Sequence, residues 1–125
     1  MTDPAAQVPS VDRGALSVTA ASPEPSTLVL AVDGELDLVT APRLDAVLAA
    51  AVLVGRHTRV VVDLTGVSFL GVAGITALQR HRARTDEHGI AFRLVATGRP
   101  VLRPLALLDL EDAFDVHPTV GSALR

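Results

Sequence analysis

The run RVVVDL, Arg59 to Leu64, is apolar without alternation. Successive side chains of a strand point to opposite faces, so a strand with one wet face alternates apolar with polar residues. A run whose centre, Val60 to Val62, is apolar at every step fits a central strand covered on both faces, as in a sheet with parallel neighbours. Parallel neighbours require crossover helices, and the flanking sequence supplies them. Ahead of the run, Thr40 stands as a helix N-cap, Pro42 falls in the first turn where its missing N–H costs nothing, and Val39 with Leu44 are spaced for a hydrophobic staple. Leu44, Val47, Leu48 and Ala51 then form one apolar helical stripe, ending near Gly55. Behind the run, a Thr65-Gly66 turn and the short segment VSFL lead into a second helix. That helix holds Ile75 and Leu78 inward and Arg80, Arg82 and Arg84 outward, with Gly89 as its stop.

The remaining segments complete the pattern. ALSVTA and STLVLAVDG are β-branched runs separated by Ser22, Pro23, Glu24 and Pro25, which predicts an antiparallel hairpin with a somewhat long loop. IAFRLVA is a further strand. GRP breaks the chain before VLRPLALLDL, a third helix with Pro104 in its first turn; AFDVH follows as a short last strand, and Thr119 caps a closing helix. The order implies an α/β fold with a mixed four- or five-stranded sheet and helices packed against it. Residues 1–14, broken by Pro4, Pro9, Ser10 and Gly14, are expected as a flexible tail, leaving residues 15–125 as one domain.

Composition narrows the function classes. With 49% apolar residues the chain carries enough aliphatic side chains for a core, and without cysteine it has no disulfide framework and no thiolate metal site. A formal net charge of −3 argues against a nucleic-acid binder. No segment reads as a signal peptide or reaches the roughly 18 apolar residues of a membrane span, so a soluble, cytoplasmic protein with no membrane partner is expected. His57, His81, His88 and His117 lack ligand spacing and read as solvated, which leaves no metal and no cofactor. The run Arg80 to Arg84 reads as a charged helix face, because it has no interleaved aromatics and is followed at once by Asp86 and Glu87. No phosphate loop and no GxSxG context is present. Asp33, Glu35 and Asp37 are spaced for a turn rich in turn-formers, with Asp37 favourably placed before a helix N-terminus; a general acid/base pair could also be built from them.

Two stretches together carry a resemblance. GELDLVTAPRL, Gly34 to Leu44, followed by VVVDLTGVSFLGVAGITAL, Val60 to Leu78, resembles the STAS domain, the family of bacterial anti-sigma factor antagonists. The closing segments IAFRLVATG and DVHPTVGSAL are similar to the end of such proteins. The resemblance implies a STAS-type single domain over residues 15–125 and a non-enzymatic, partner-switching role. Family members bind an anti-sigma factor, often a serine kinase, and so free a sigma factor for transcription. The kinase in turn phosphorylates a Ser or Thr in an Asp-Ser-Ser/Thr-Gly motif opening the second helix. The resemblance places the docking face on Gly34, Glu35, Asp37 and Thr40, together with Gly71, Val72, Ala73, Gly74 and Ile75 at the helix start. Aligned on Phe69 and Gly74, the family's Asp falls on Gly71, its phosphorylated Ser on Val72 and the next hydroxyl on Ala73. Ser68 precedes the junction and Thr76 lies more than a turn into the helix, away from the acceptor position. The implied protein therefore binds an anti-sigma factor of serine-kinase type without the usual phosphorylation switch. A second reading is a non-phosphorylatable STAS interaction subunit of a multi-protein regulatory assembly or transporter system.

Overall fold

The computed structural model describes residues 16–54 and 56–125; the expected tail and the Gly55 helix stop lie outside them. In chain order the elements are β1 (Ser17–Glu24), β2 (Thr27–Leu36), α1 (Ala41–Val54), β3 (Arg59–Leu70), α2 (Val72–Glu87), β4 (Ala91–Val95), α3 (Arg99–Leu107), β5 (Asp115–His117) and α4 (Val120–Ala123). The sheet has five strands in sequence order, with β1 antiparallel to β2 and all other pairs parallel.

β3 is central, as its apolar run requires. Val60, Val62 and Leu64 pack into the main core with Leu44 and Leu48 of α1, Ile75 and Leu78 of α2, and Val101 and Leu105 of α3. Val61 points to the other face, where Val29, Val95 and Ala123 form a smaller cluster under α4. Two arginines fasten that short helix: Arg59 Nη1 donates to the Leu124 carbonyl at 2.8 Å and Arg93 Nη1 to the Ala123 carbonyl at 2.6 Å. Cations at the carbonyl end satisfy acceptors that the helix itself leaves open. Thr119 caps the other end, its hydroxyl accepting from Ser122 N–H at 3.0 Å.

Several local expectations are corrected. The β1–β2 loop is tight, only Pro25 and Ser26, because β1 continues through Pro23 with a bulge between Ala21 and Glu24. Pro is tolerated there since β1 is an edge strand. Thr65-Gly66 is no turn; β3 runs through it, and the parallel register with β2 slips between Ala31 and Asp33 and again between Gly34 and Glu35. A Cβ on Gly66 would collide with Asp33 Oδ1, so this glycine gives the neighbouring side chain its place. α3 begins at Arg99, earlier than expected, so Pro100 takes the first turn and Pro104 lies in the interior.

Candidate functional site

The paired ends of the parallel strands β2 and β3 carry the site. Leu36 lies opposite Leu70, and Gly71 N–H donates to the Leu36 carbonyl at 2.9 Å, so the chain leaves both strands side by side. Each exit leads directly into a helix.

From β2 the chain turns through Asp37 to Thr40. Gly34, with φ of 112°, adopts a conformation that favours glycine near the strand's end. Asp37 Oδ1 accepts from the N–H groups of Val39 and Thr40, both at 3.0 Å. The Thr40 hydroxyl accepts from Asp37 N–H at 3.0 Å and donates to the Glu35 carbonyl at 2.7 Å. The hydrogen bond from Thr40 N–H, opposed by burial but helped by the Thr40 hydroxyl and Val39 N–H, holds the Asp37 carboxyl below the usual carboxylate range. Thr40 directly precedes α1, but its side chain reaches back into the loop instead of capping the helix. Val39 does not staple to Leu44, which is buried. The loop instead presents Leu38 and Val39 to solvent, 80% and 81% exposed.

From β3 the chain enters α2 at Gly71, the N-cap, which offers no side-chain cap. Val72 is the first helical residue and is 75% exposed. Ala73 is half-buried beside it, while Gly74 and Ile75 are buried. A Cβ on Gly74 would meet Leu36 Cγ at 2.7 Å and Leu70 Cδ1 at 2.9 Å, so the bare backbone is what lets α2 sit this close to the sheet. Of the nine residues expected at a docking face, Gly74, Ile75 and Thr40 therefore support it from beneath. Gly34, Glu35, Asp37, Gly71, Val72 and Ala73 reach the surface.

Three surface residues were missed by sequence reasoning: Leu38, Val39 and the 51% exposed Phe69, which touches the Gly71 position. With Val72 they make an apolar face where two loops meet. The available signal was four large apolar residues in or beside loops within two short motifs; only the Asp37–Thr40 hydrogen bonds decide that two of them point outward. Next to this face, Leu38, Ala41, Pro42, Ala73 and Thr76 line a groove of about 310 Å³ between α1 and α2, floored by Asp45 and Arg80.

Below that groove the histidine reading is corrected. His81 is 2% exposed, and its Nε2 lies 2.7 Å from Asp45 Oδ1, while its Nδ1 is buried without a partner. Burial lowers the His81 pKa, with Asp45 pulling the other way. A neutral ring that donates from Nε2 and leaves Nδ1 unprotonated fits this geometry, because a proton on Nδ1 would be a buried donor with no acceptor. Arg80 lies outward as expected and, from there, holds both oxygens of Asp45 at 2.9 and 2.8 Å. Burial would raise the Asp45 carboxyl, but the hydrogen bonds and charges of Arg80 and His81 outweigh it and hold the carboxyl low. The acid/base possibility at Asp33, Glu35 and Asp37 finds no support: Asp33 lies over Gly66, and the Asp37 oxygen is engaged in its own turn. Among the described residues no helix is long and apolar enough to cross a membrane.

Among the described residues, Leu38, Val39, Phe69 and Val72 expose large apolar side chains where the two strand ends lead into helices, and exposed apolar patches of this kind often mark interaction sites. Comparisons with known proteins identify the family. A family model, the STAS domain, matches residues 19–123. Anti-sigma-F factor antagonist RsfB of Mycobacterium tuberculosis is 33% identical over 96 residues, 77% of either chain. Anti-sigma-F factor antagonist RsfA of the same organism is 31% identical over 100 residues, 79% of this chain and 78% of its own. The crystal structure of an anti-sigma factor antagonist from Mycobacterium paratuberculosis superposes with a TM-score of 0.80 at 30% identity, covering 90% of this chain and 93% of that one. With the family model spanning residues 19–123, from within β1 to the end of α4, the chain belongs to the STAS domain family.

Proposed function

We propose that this chain is an anti-sigma factor antagonist that works without a serine phosphorylation switch. It binds an anti-sigma factor of serine-kinase type in the cytoplasm and thereby frees a sigma factor for transcription. The similarity to RsfB and RsfA supports the activity. The observation that carries the missing switch is Val72 itself, an exposed valine as the first residue of α2 within an apolar face. A phosphate on a hydroxyl there would bring about −1.5 to −2 charge into the interface and drive the partner off. Valine accepts no phosphate, and its apolar surface favours association with a partner whose contacting residues are apolar too. Control then falls on the amount of the protein or on a competing partner.

The test mixes the purified chain with each serine-kinase-type anti-sigma factor of the source organism, with Mg-ATP and the corresponding sigma factor. The expected result is a stable complex with one of them, release of its sigma factor, and no gain of phosphate in the intact mass of this chain. Failure to bind any of them overturns the function. A near-stoichiometric phosphate gain shows that the switch has moved to another hydroxyl.

A further inference from the structure

On the far side of Phe69 from the α2 start, an open groove of about 330 Å³ runs between the end of β3 and α3, lined by Phe69, Leu70, Arg99, Pro100, Arg103 and Leu107. Its wall is the outer face of α3. Val101 and Leu105 are buried on the inner side, while Arg99, Arg103 and Leu107, four residues apart, share the outer one. That arrangement is unfavourable for a helix left alone. Two guanidinium groups at this spacing repel each other, and Arg99 stands at the positive end of the helix, where a cation is disfavoured. Among the described residues neither has an ion pair; the arginines that do are Arg59, Arg80 and Arg93. Among the described residues no carboxylate lines the groove. The apolar part of the lining is open as well, with Leu107 71% exposed beside the half-exposed Phe69.

We propose that this groove is a second docking surface, which takes an acidic segment of the partner protein bearing an apolar anchor residue. The segment's carboxylates pair with Arg99 and Arg103, and its anchor packs between Phe69 and Leu107. Charge selects the occupant: the open groove offers the unpaired cations Arg99 and Arg103 beside the apolar Phe69, Pro100 and Leu107. Phe69 is shared with the apolar face at the α2 start, so one partner can cover both surfaces. This inference rests on the proposed anti-sigma factor partnership.

Two probes separate the groove from that partnership. The first is a short peptide of alternating leucine and glutamate, titrated at low salt into the isotopically labelled full chain while backbone amide shifts are followed. Saturable shifts at Leu70, Arg103 and Leu107 are expected, with affinity falling about tenfold in R99E/R103E, as reversal of paired charges predicts. The milder R99Q/R103Q should weaken binding in the same direction, and it stands in if the double reversal unfolds. A leucine–lysine peptide should not bind. No shifts, shifts confined to the α1–α2 groove, or equal binding of the lysine peptide overturns the proposal. The second probe is the anti-sigma factor. Weaker binding by both R99E/R103E and Val72→Asp supports a two-surface interface. Loss with Val72→Asp but unchanged affinity in folded R99E/R103E removes the second surface and leaves the proposed function standing. Groove binding by the acidic peptide, with no binding of any anti-sigma factor, removes the function and retains the groove as an acidic-segment site.

Discussion

Asp45→Ala should destabilise the fold more than Arg80→Ala, although the ion pair between these two residues is the one with two hydrogen bonds. The Arg80 side chain is 49% exposed. A solvated pair of this kind contributes about 0.2–1 kcal/mol, and removing the arginine leaves Asp45 both its histidine partner and access to water. Removing the carboxylate is different. His81 is 2% exposed and its other nitrogen already lacks a partner, so alanine at position 45 leaves a buried ring with no hydrogen bond at all. Stranding a buried donor costs about 1–3 kcal/mol, to which the lost arginine pair adds a fraction. Urea unfolding at neutral pH measures both variants. With a denaturant slope of about 1–3 kcal/mol per molar, Asp45→Ala should lower the midpoint by about 1 M and Arg80→Ala by a few tenths. Asp45→Asn, which keeps an acceptor for His81, should resemble Arg80→Ala. Equal midpoints for Asp45→Ala and Arg80→Ala, with unchanged slopes, would refute the idea that the α1–α2 contact depends on satisfying a buried histidine.

The same histidine sets a pH dependence. Its folded pKa lies below the ordinary 6.5, so the unfolded chain binds the proton more readily. Its contribution is therefore complete above that pH and is lost as pH falls from about 6.5 toward the lower folded value. His81→Gln should flatten the stability profile in the range just below pH 6.5, while the losses owed to Asp37 and Asp45 stay confined to more acidic pH. Gly74→Ala should lower the unfolding midpoint despite alanine's helix propensity. Its methyl would press on Leu36 and Leu70, at a cost of about 1–3 kcal/mol for overpacking against a gain of about 1 kcal/mol; a more stable Gly74→Ala protein would show that α2 can lift off the sheet freely.

The fold was legible where a pattern has one physical meaning. The three consecutive valines of RVVVDL fit a strand covered on both faces, and the stripe from Leu44 to Ala51 fits a helix packed on that sheet. Legibility failed where one residue fits two local solutions. Thr65-Gly66 reads equally as a turn or as a glycine over which a neighbouring strand lays a side chain, and only the β2–β3 register chooses the latter. Val39 has the spacing of a staple, but hydrogen bonds between Asp37 and Thr40 turn the loop outward. His81 was misread because its neighbours Arg80 and Arg82 are charged. The missed signal was periodic: Gly74, Leu78, His81 and Thr85 continue one buried helical stripe. At the candidate site, the motifs fall on the two strand-end junctions, but which of their residues meet solvent depended on packing beneath them.

Titration of the anti-sigma factor against the wild-type chain and Val72→Asp tests the central reading most directly. The helix dipole favours a carboxylate at the first position of α2 by about 0.3–1 kcal/mol, so the free variant should unfold at or above the wild-type midpoint. In the complex the same carboxylate must lose its water against an apolar partner surface, and affinity should fall at least about tenfold, equivalent to 1.4 kcal/mol. Reduced affinity with an intact fold is the predicted result. Unchanged affinity in a folded Val72→Asp protein would contradict it, because the partner would then be docking somewhere other than the start of α2.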